Sequence, residues 1–130
     1  MTARPRLDRR TLERLTRDLE ARRANAAEVA DAFQSEGRDA LATADLSDRL
    51  DAASPVDATT EESFLLAERA EEVVRQIDQA LARVAAGTYG RCEGCGGPIS
   101  IERLEALPAT PLCVDCKRRS VLRVIADSRP

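Results

Sequence analysis

The chain has no histidine and no tryptophan among its 130 residues, and only one lysine, Lys117. Two Phe and one Tyr bring the aromatic share to 2%. Without histidine, a mixed cysteine/histidine metal set is impossible. So few large aromatics are unusual for a compact globule of this length, and they leave no row of rings on which nucleic-acid bases could stack. No apolar run approaches the ~20 residues of a membrane span, and Met1–Arg10 has no apolar core of the kind a secretion signal needs. The expectation is a cytoplasmic protein with no membrane partner. No nucleophile constellation, catalytic base or phosphate-binding loop is visible, so the chain reads as a non-enzyme. The single lysine among many arginines reads as codon bias.

What is present is alanine, leucine, arginine and acid, with 33% of residues charged, a composition that suits long helices or a coiled coil. Four cysteines stand as Cys92-x-x-Cys95 and Cys113-x-x-Cys116. Two such knuckles across a 17-residue loop have the spacing of a tetrahedral four-cysteine zinc site. Gly90, Gly94, Gly96 and Gly97 crowd the first knuckle, where the backbone must bend sharply. Disulfides are the alternative in an oxidising compartment, and a thioredoxin-like redox pair would need a βαβ pattern that is absent. The expectation is one structural Zn2+ held by Cys92, Cys95, Cys113 and Cys116. The formal charge of −3 becomes about −5 when four thiolates bind the ion.

The rest reads as helices. Met1–Leu7 is a basic tail, and Asp8 is a candidate N-cap. Leu12, Leu15, Leu19, Ala26, Val29 and Phe33 follow the three-four spacing of a packed seam, broken in register by Arg22 and Glu36. Gly37 predicts a weak point, with helix resuming over Asp39–Leu50 on Leu41, Leu46 and Leu50. Pro55 predicts a break, and Thr59-x-x-Glu62 predicts a capping box for a second long helix. Ala67, Ala70, Val74, Ile77, Leu81 and Val84 would form its seam. Gly87 would end it. Ser100 would cap a short helix over Ile101–Leu107. Lys117–Asp127 predicts a last helix that buries Val121, Leu122, Val124 and Ile125. The fold expected is mainly α: a long antiparallel helical hairpin, or coiled-coil arm, over 8–86 with its tip near 51–59, then a small zinc-finger head with a C-terminal helix over 87–130.

The run Gly87-Thr88-Tyr89-Gly90-Arg91-Cys92-Glu93-Gly94-Cys95-Gly96, continued by Ile99, Ile101, Arg103-Leu104-Glu105-Ala106, Pro108 and Cys113-Val114-Asp115-Cys116-Lys117, closely resembles the signature of the DksA/TraR zinc-finger family. The resemblance covers about the last third of the chain closely and the hairpin by pattern. It implies a bacterial transcription regulator that binds RNA polymerase rather than DNA; the chain is expected to be a monomer, with a coiled-coil oligomeriser as a further alternative. The family's arm enters the polymerase secondary channel with an acidic tip near the catalytic centre, and many members act with the alarmone ppGpp. The family tip pattern is Asp-Pro-x-Asp-x-Ala; here it is Ser54-Pro55-Val56-Asp57-Ala58-Thr59. Asp57 keeps the second acid, Ser54 replaces the first, and Thr59 replaces the final Ala. Asp57 also has a plain reading as a turn residue. Arg69, Asp115 and Lys117 match positions associated with ppGpp or polymerase contact, whereas Leu107 stands where DksA-type sequences carry an arginine. The expectation is regulation with reduced or no ppGpp dependence.

Charge placement is independent of the resemblance. Asp45, Asp48, Asp51, Asp57, Glu61 and Glu62 surround the expected turn, against Arg49 alone. Eight arginines from Arg4 to Arg23, with Lys117, Arg118, Arg119, Arg123 and Arg129, mark the two ends. An acidic tip would be steered toward a positive channel. A solvated surface is the bland reading. A zinc module that sets Arg118, Arg119 and Arg123 on phosphates, or a protein-interaction zinc module, remains the alternative.

Overall fold

The computed structural model describes residues 7–43 and 55–128, with side chains described over 7–39 and 60–128. Among the described residues four helices follow in order: α1 (Arg9–Thr43), α2 (Pro55–Ala86), α3 (Ile101–Ala106) and α4 (Val114–Asp127). Among the described residues the only strand-like pairing is an antiparallel bridge between Arg91 and Pro98. The protein is mainly α.

Local chemistry explains most helix ends. The Asp8 carboxylate accepts from the Thr11 amide at 2.7 Å, and the Asp8 carbonyl accepts from Leu12 at 2.9 Å. Bonds from the Thr11 hydroxyl and then the Thr11 amide hold the Asp8 carboxyl below its usual range, as expected of an N-cap. At the end of α2, Thr88 N–H donates to the Arg83 carbonyl at 2.9 Å and Gly87 N–H to Val84 at 3.2 Å. These are the two bonds of a Schellman cap, and Gly87 supplies its left-handed residue at φ +76°.

Pro55 is the first residue of α2, so the helix starts ahead of the expected cap at Thr59. Proline lacks only an N–H that a first helical residue would leave unpaired, and its φ is already helical. Thr59 is therefore inside α2, not its cap. Residues 44–54, including Leu46, Leu50, Asp51 and Ser54 of the expected tip, lie outside the described residues.

Gly37 is likewise not a weak point. α1 runs through it, and it is buried because the Phe64 ring rests on it: a β-carbon there would come within 2.9 Å of the ring. Replacing Gly37 with Ala gains about 1 kcal/mol of helix propensity, which roughly offsets shifting a partly exposed ring. Gly37→Leu has no such compensation and should lower stability by about 1–3 kcal/mol, as overpacking does. Urea denaturation of the two variants would check this ordering.

Contacts divide the chain into two compact units, residues 1–21 with 76–130, and residues 22–75. In the second unit α1 and α2 run antiparallel, with Gly37 against Phe64 and Gln34 hydrogen-bonded to Glu71. Its buried residues are small: Ala26, Ala30, Ala67, Ala70, Thr60 and Ser63. Ala30, not Val29, takes the seam position, and Val29 is 37% exposed. Small side chains let two helices approach closely, and the bulkier valine is displaced to the edge.

The first unit holds the larger side chains. Leu19, Ile77 and Ala80 form one buried cluster, and Leu15, Cys92, Ile99 and Leu104 another. Tyr89 packs against both.

The largest departure from expectation is α4. It begins at Val114, three residues earlier than its apolar pattern suggests, because Cys113 in extended geometry serves as its N-cap. No residue of α4 is buried; Val121, Leu122, Val124 and Ile125 are 46%, 57%, 65% and 48% exposed. Cys116 anchors one side of the helix. At about 100° per residue, Val114, Val121 and Ile125 share the opposite side. The finger can therefore cover only the Cys116 side.

Candidate metal centre

Two short segments carry the four cysteines, joined by a loop that carries none. The first knuckle is folded on itself: Cys92 N–H donates to the Gly97 carbonyl at 2.7 Å, and Gly96 N–H returns a bond to Cys92 at 2.9 Å. Gly96 closes this turn at φ +72°, where a side chain would be strained. The 17 intervening residues fold around α3, capped by Ser100, whose Oγ accepts from the Arg103 amide at 3.2 Å. α3 ends at Ala106, one residue earlier than expected, with Leu107 as its C-cap. Cys113 and Cys116 come from the start of α4. Gly94 packs where a β-carbon would lie 3.0 Å from Cys116 Sγ, so the two knuckles close on each other only over glycine.

All four sulfur atoms lie within 4.8 Å of one another, and Cys95 Sγ and Cys113 Sγ are 3.9 Å apart. A tetrahedron with Zn–S bonds of ~2.3 Å has sulfur–sulfur edges of about 3.8 Å. The donor set fits one zinc ion and, being all thiolate, favours it over harder cations.

Backbone amides prepare the thiolates. Gly94 and Cys113 amides both donate to Cys92 Sγ at 3.3 Å, and the Gly97 amide to Cys95 Sγ at 3.4 Å. Burial opposes ionising Cys92, but amide N–H groups of Cys113, Cys95 and Gly94, joined by the Cys116 thiol, bring it down to about 6. Cys116 shares its proton with Cys92 and Cys113 and is raised to about 12. Without metal, Cys92 is therefore held below its ordinary value and Cys116 above it. A zinc ion takes the place of that shared proton.

Side chains outside the cysteine knuckles hold the loop in place. Tyr89 Oη donates to the Pro108 carbonyl at 2.8 Å, and Arg103 Nε to the Leu112 carbonyl at 2.8 Å. Arg83, with its side chain only 13% exposed, donates to the Ala109 carbonyl at 3.2 Å and lies 3.6 Å from Glu93. Arg14 meets Glu105 at 2.7 Å, an exposed pair of small worth. Arg14 and Arg83 carry no sequence signal beyond their charge. No periodicity marks an arginine that will end on a loop carbonyl.

Burial pushes the Tyr89 hydroxyl up to about 12, with Asp18 adding to it and Arg83 opposing. A raised folded value means stability present below the unfolded value of 10.0 and lost as pH rises toward 12. Tyr89→Phe should cost about 0.5–1.5 kcal/mol near neutrality through the lost hydrogen bond. It should also flatten the alkaline limb of a stability-against-pH profile.

The other anticipated site residues are dispersed. Asp57 and Thr59 belong to the start of α2. Arg69 is exposed on α2 in the second unit, and Asp115 and Lys117 are exposed at the start of α4 in the first. Leu107 is 52% exposed. No helix of the described residues is long and apolar enough to cross a membrane.

Comparison with known proteins agrees with this geometry. Residues 87–121 match the family model described as the prokaryotic dksA/traR C4-type zinc finger. Over 74 residues the chain is 40% identical to the RNA polymerase-binding transcription factor DksA of Escherichia coli K12, covering 53% of this chain and 49% of that protein. Over 76 residues it is 42% identical to the protein of the same name from Caulobacter vibrioides, covering 58% and 51%. The chain thus spans about half the length of the curated relatives it matches. Among solved structures, the transcription factor DksA2 from Pseudomonas aeruginosa is similar with a TM-score of 0.78 at 28% identity, over 89% of this chain and 87% of that one. Residues 87–121 thus match a C4 zinc finger of the dksA/traR type with four converging thiolates, and the chain is similar to DksA proteins along most of its length.

Proposed function

We propose that this chain is a transcription regulator that binds RNA polymerase directly in the cytoplasm, with the segment around residues 51–59 entering the secondary channel and the zinc finger docking at its rim. The observation that carries the reading is the likeness to relatives named as RNA polymerase-binding transcription factors, joined by structural likeness to DksA2 along most of the chain. Charge supports it. Residues 22–75 hold six basic and thirteen acidic side chains, net −7; the other unit holds fourteen basic and ten acidic, net +4. An acidic segment is drawn into a positively charged channel and kept off nucleic acid. The protein is not an enzyme in this reading and makes no sequence-specific DNA contact.

Asp57 is the acid assigned to the polymerase active centre, flanked by Ser54 and Thr59. Arg69, Asp115 and Lys117 are assigned to polymerase or ppGpp contact. Leu107, exposed where DksA-type sequences carry an arginine, favours weak or absent ppGpp dependence. Transcription from a ribosomal promoter with purified polymerase, with and without ppGpp, tests this. Wild-type protein should change the yield with little help from ppGpp, and Asp57→Asn should remove most of the change while leaving polymerase binding within about threefold. A wild-type protein without effect under any condition would undo the regulator reading.

A further inference from the structure

Two apolar surfaces remain exposed, one in each unit, and they are complementary. The first is the outer side of α4. Val114, Val121, Leu122, Val124 and Ile125 are 46–65% exposed, and the exposed Lys117 and Arg118 lie on the same side one turn earlier. Cys116 ties the opposite side of α4 to the metal centre, and no described residue covers this face. The second is a groove of about 610 Å3 in the other unit. Phe64 and Leu65, 38% and 59% exposed, form its apolar floor, and Glu61, Glu68 and Glu71 surround them. Apolar patches rimmed by charge mark interaction sites. One patch carries Lys117 and Arg118 with Asp115 beside them, and the other carries three carboxylates with Arg69 beside Glu68, so the balance is cationic on α4 and anionic at the groove.

We propose that the occupant of the groove is a second copy of this chain, with α4 of one copy lying against Phe64 and Leu65 of the next. The spacing of charge and apolar surface matches. Arg118 precedes Leu122 by one turn, and Leu65 precedes Glu68 by about one turn. A single register therefore sets Leu122 on Leu65 and Arg118 on Glu68. The opposite net charges of the two units, +4 and −7, favour the same head-to-tail encounter. The contact uses different surfaces on the two copies, so a bound pair keeps one free face and one free groove and can add further copies. The interface is small and partly ionic. The chain is a monomer when dilute and associates as concentration rises or salt falls. This self-association stands independently of the polymerase reading, and it would cover the acidic groove when the protein is abundant.

Sedimentation of zinc-loaded protein at low ionic strength tests it. The average mass should climb above that of one 14.2 kDa chain as concentration approaches the millimolar range. It should fall back at ~1 M salt, where the Debye length is ~3 Å. Leu122→Glu and Leu65→Arg change exposed positions only, so zinc content and helicity should be unchanged while each variant stays at one chain. Mixed in equal amounts, the two should form a pair and no larger species, because each contributes the surface the other lacks. Arg118→Glu and Glu68→Arg give a second such pair should either apolar variant fold poorly. Wild-type protein that remains one chain at all concentrations overturns the proposal. So does association lost in Leu122→Glu but kept in Leu65→Arg, which would indicate α4 pairing with α4. Failure of the complementary variants to pair overturns it as well.

Discussion

Cys92→Ser should abolish stable zinc binding and unfold the finger, the largest effect of any single substitution in the chain. Cys92 is 1% exposed and belongs to the cluster formed with Leu15, Ile99 and Leu104, so the metal and the apolar core share an atom. Structural zinc in small domains supplies on the order of 10–16 kcal/mol of apparent binding free energy. That is comparable to or larger than the ~5–15 kcal/mol of a whole domain's stability. Chelation of the wild-type protein should act in the same direction. Residues 87–128 should lose amide protection while zinc appears in a colorimetric assay. Retention of protection after full metal removal would show that packing alone holds the finger.

Acid should mimic chelation. Every thiol must lose its proton to bind the ion, so zinc affinity falls as pH falls. For Cys92 the sign is explicit: its folded value, about 6, lies below the ordinary 9.0. The stabilisation it brings is therefore present above the ordinary value and lost as pH drops through about 6. Zinc release followed from neutral pH downward should steepen as that value is approached.

Leu104→Ala is the second large effect. α3 has six residues and a single buried one, Leu104, at 0% exposure. A helix of that length has no stability of its own and stays in place through this side chain, the Ser100 cap and the Arg103 bonds to the loop. Removing a fully buried leucine costs about 2–5 kcal/mol. The lower end applies where neighbours collapse into the space, and Cys92 cannot do so without leaving the metal. A loss near the upper end is expected, with a fall in Tm of the order of 10 °C or more for a unit of this size. Zinc should also exchange faster with a competing chelator, since α3 forms part of the loop that aims both knuckles. A Leu104→Ala protein with unchanged zinc exchange would mean that the knuckles hold the ion without the loop.

Much of this was legible in the residues. The four thiols, the Asp8 cap, the Ser100 cap and the Gly87 stop were all readable because each depends on atoms a few positions apart. The knuckle spacing brings sulfurs together whatever the rest of the chain does. The seam of α2 could be read too, since Ala67, Ala70 and Ile77 recur at helical spacing and are buried where expected. Pro55 and Gly37 could be read either way. Proline breaks a helix or begins one, and a glycine weakens a helix or makes room for a ring; only the presence of Phe64 across from Gly37 decides.

The sequence by itself determined the ligand set, the helical class and the helix stops, because these rest on short-range bonds and on the chemistry of thiolates. The tertiary structure decided which apolar positions are covered. Ala30 displaces Val29 because two helices approach closely there. Arg83, Tyr89 and Arg103 become loop anchors because carbonyls of the zinc loop fall within their reach. The valines, leucine and isoleucine of α4 remain in solvent, because the metal fixes the opposite side of that helix and burial depends on what lies across from a side chain.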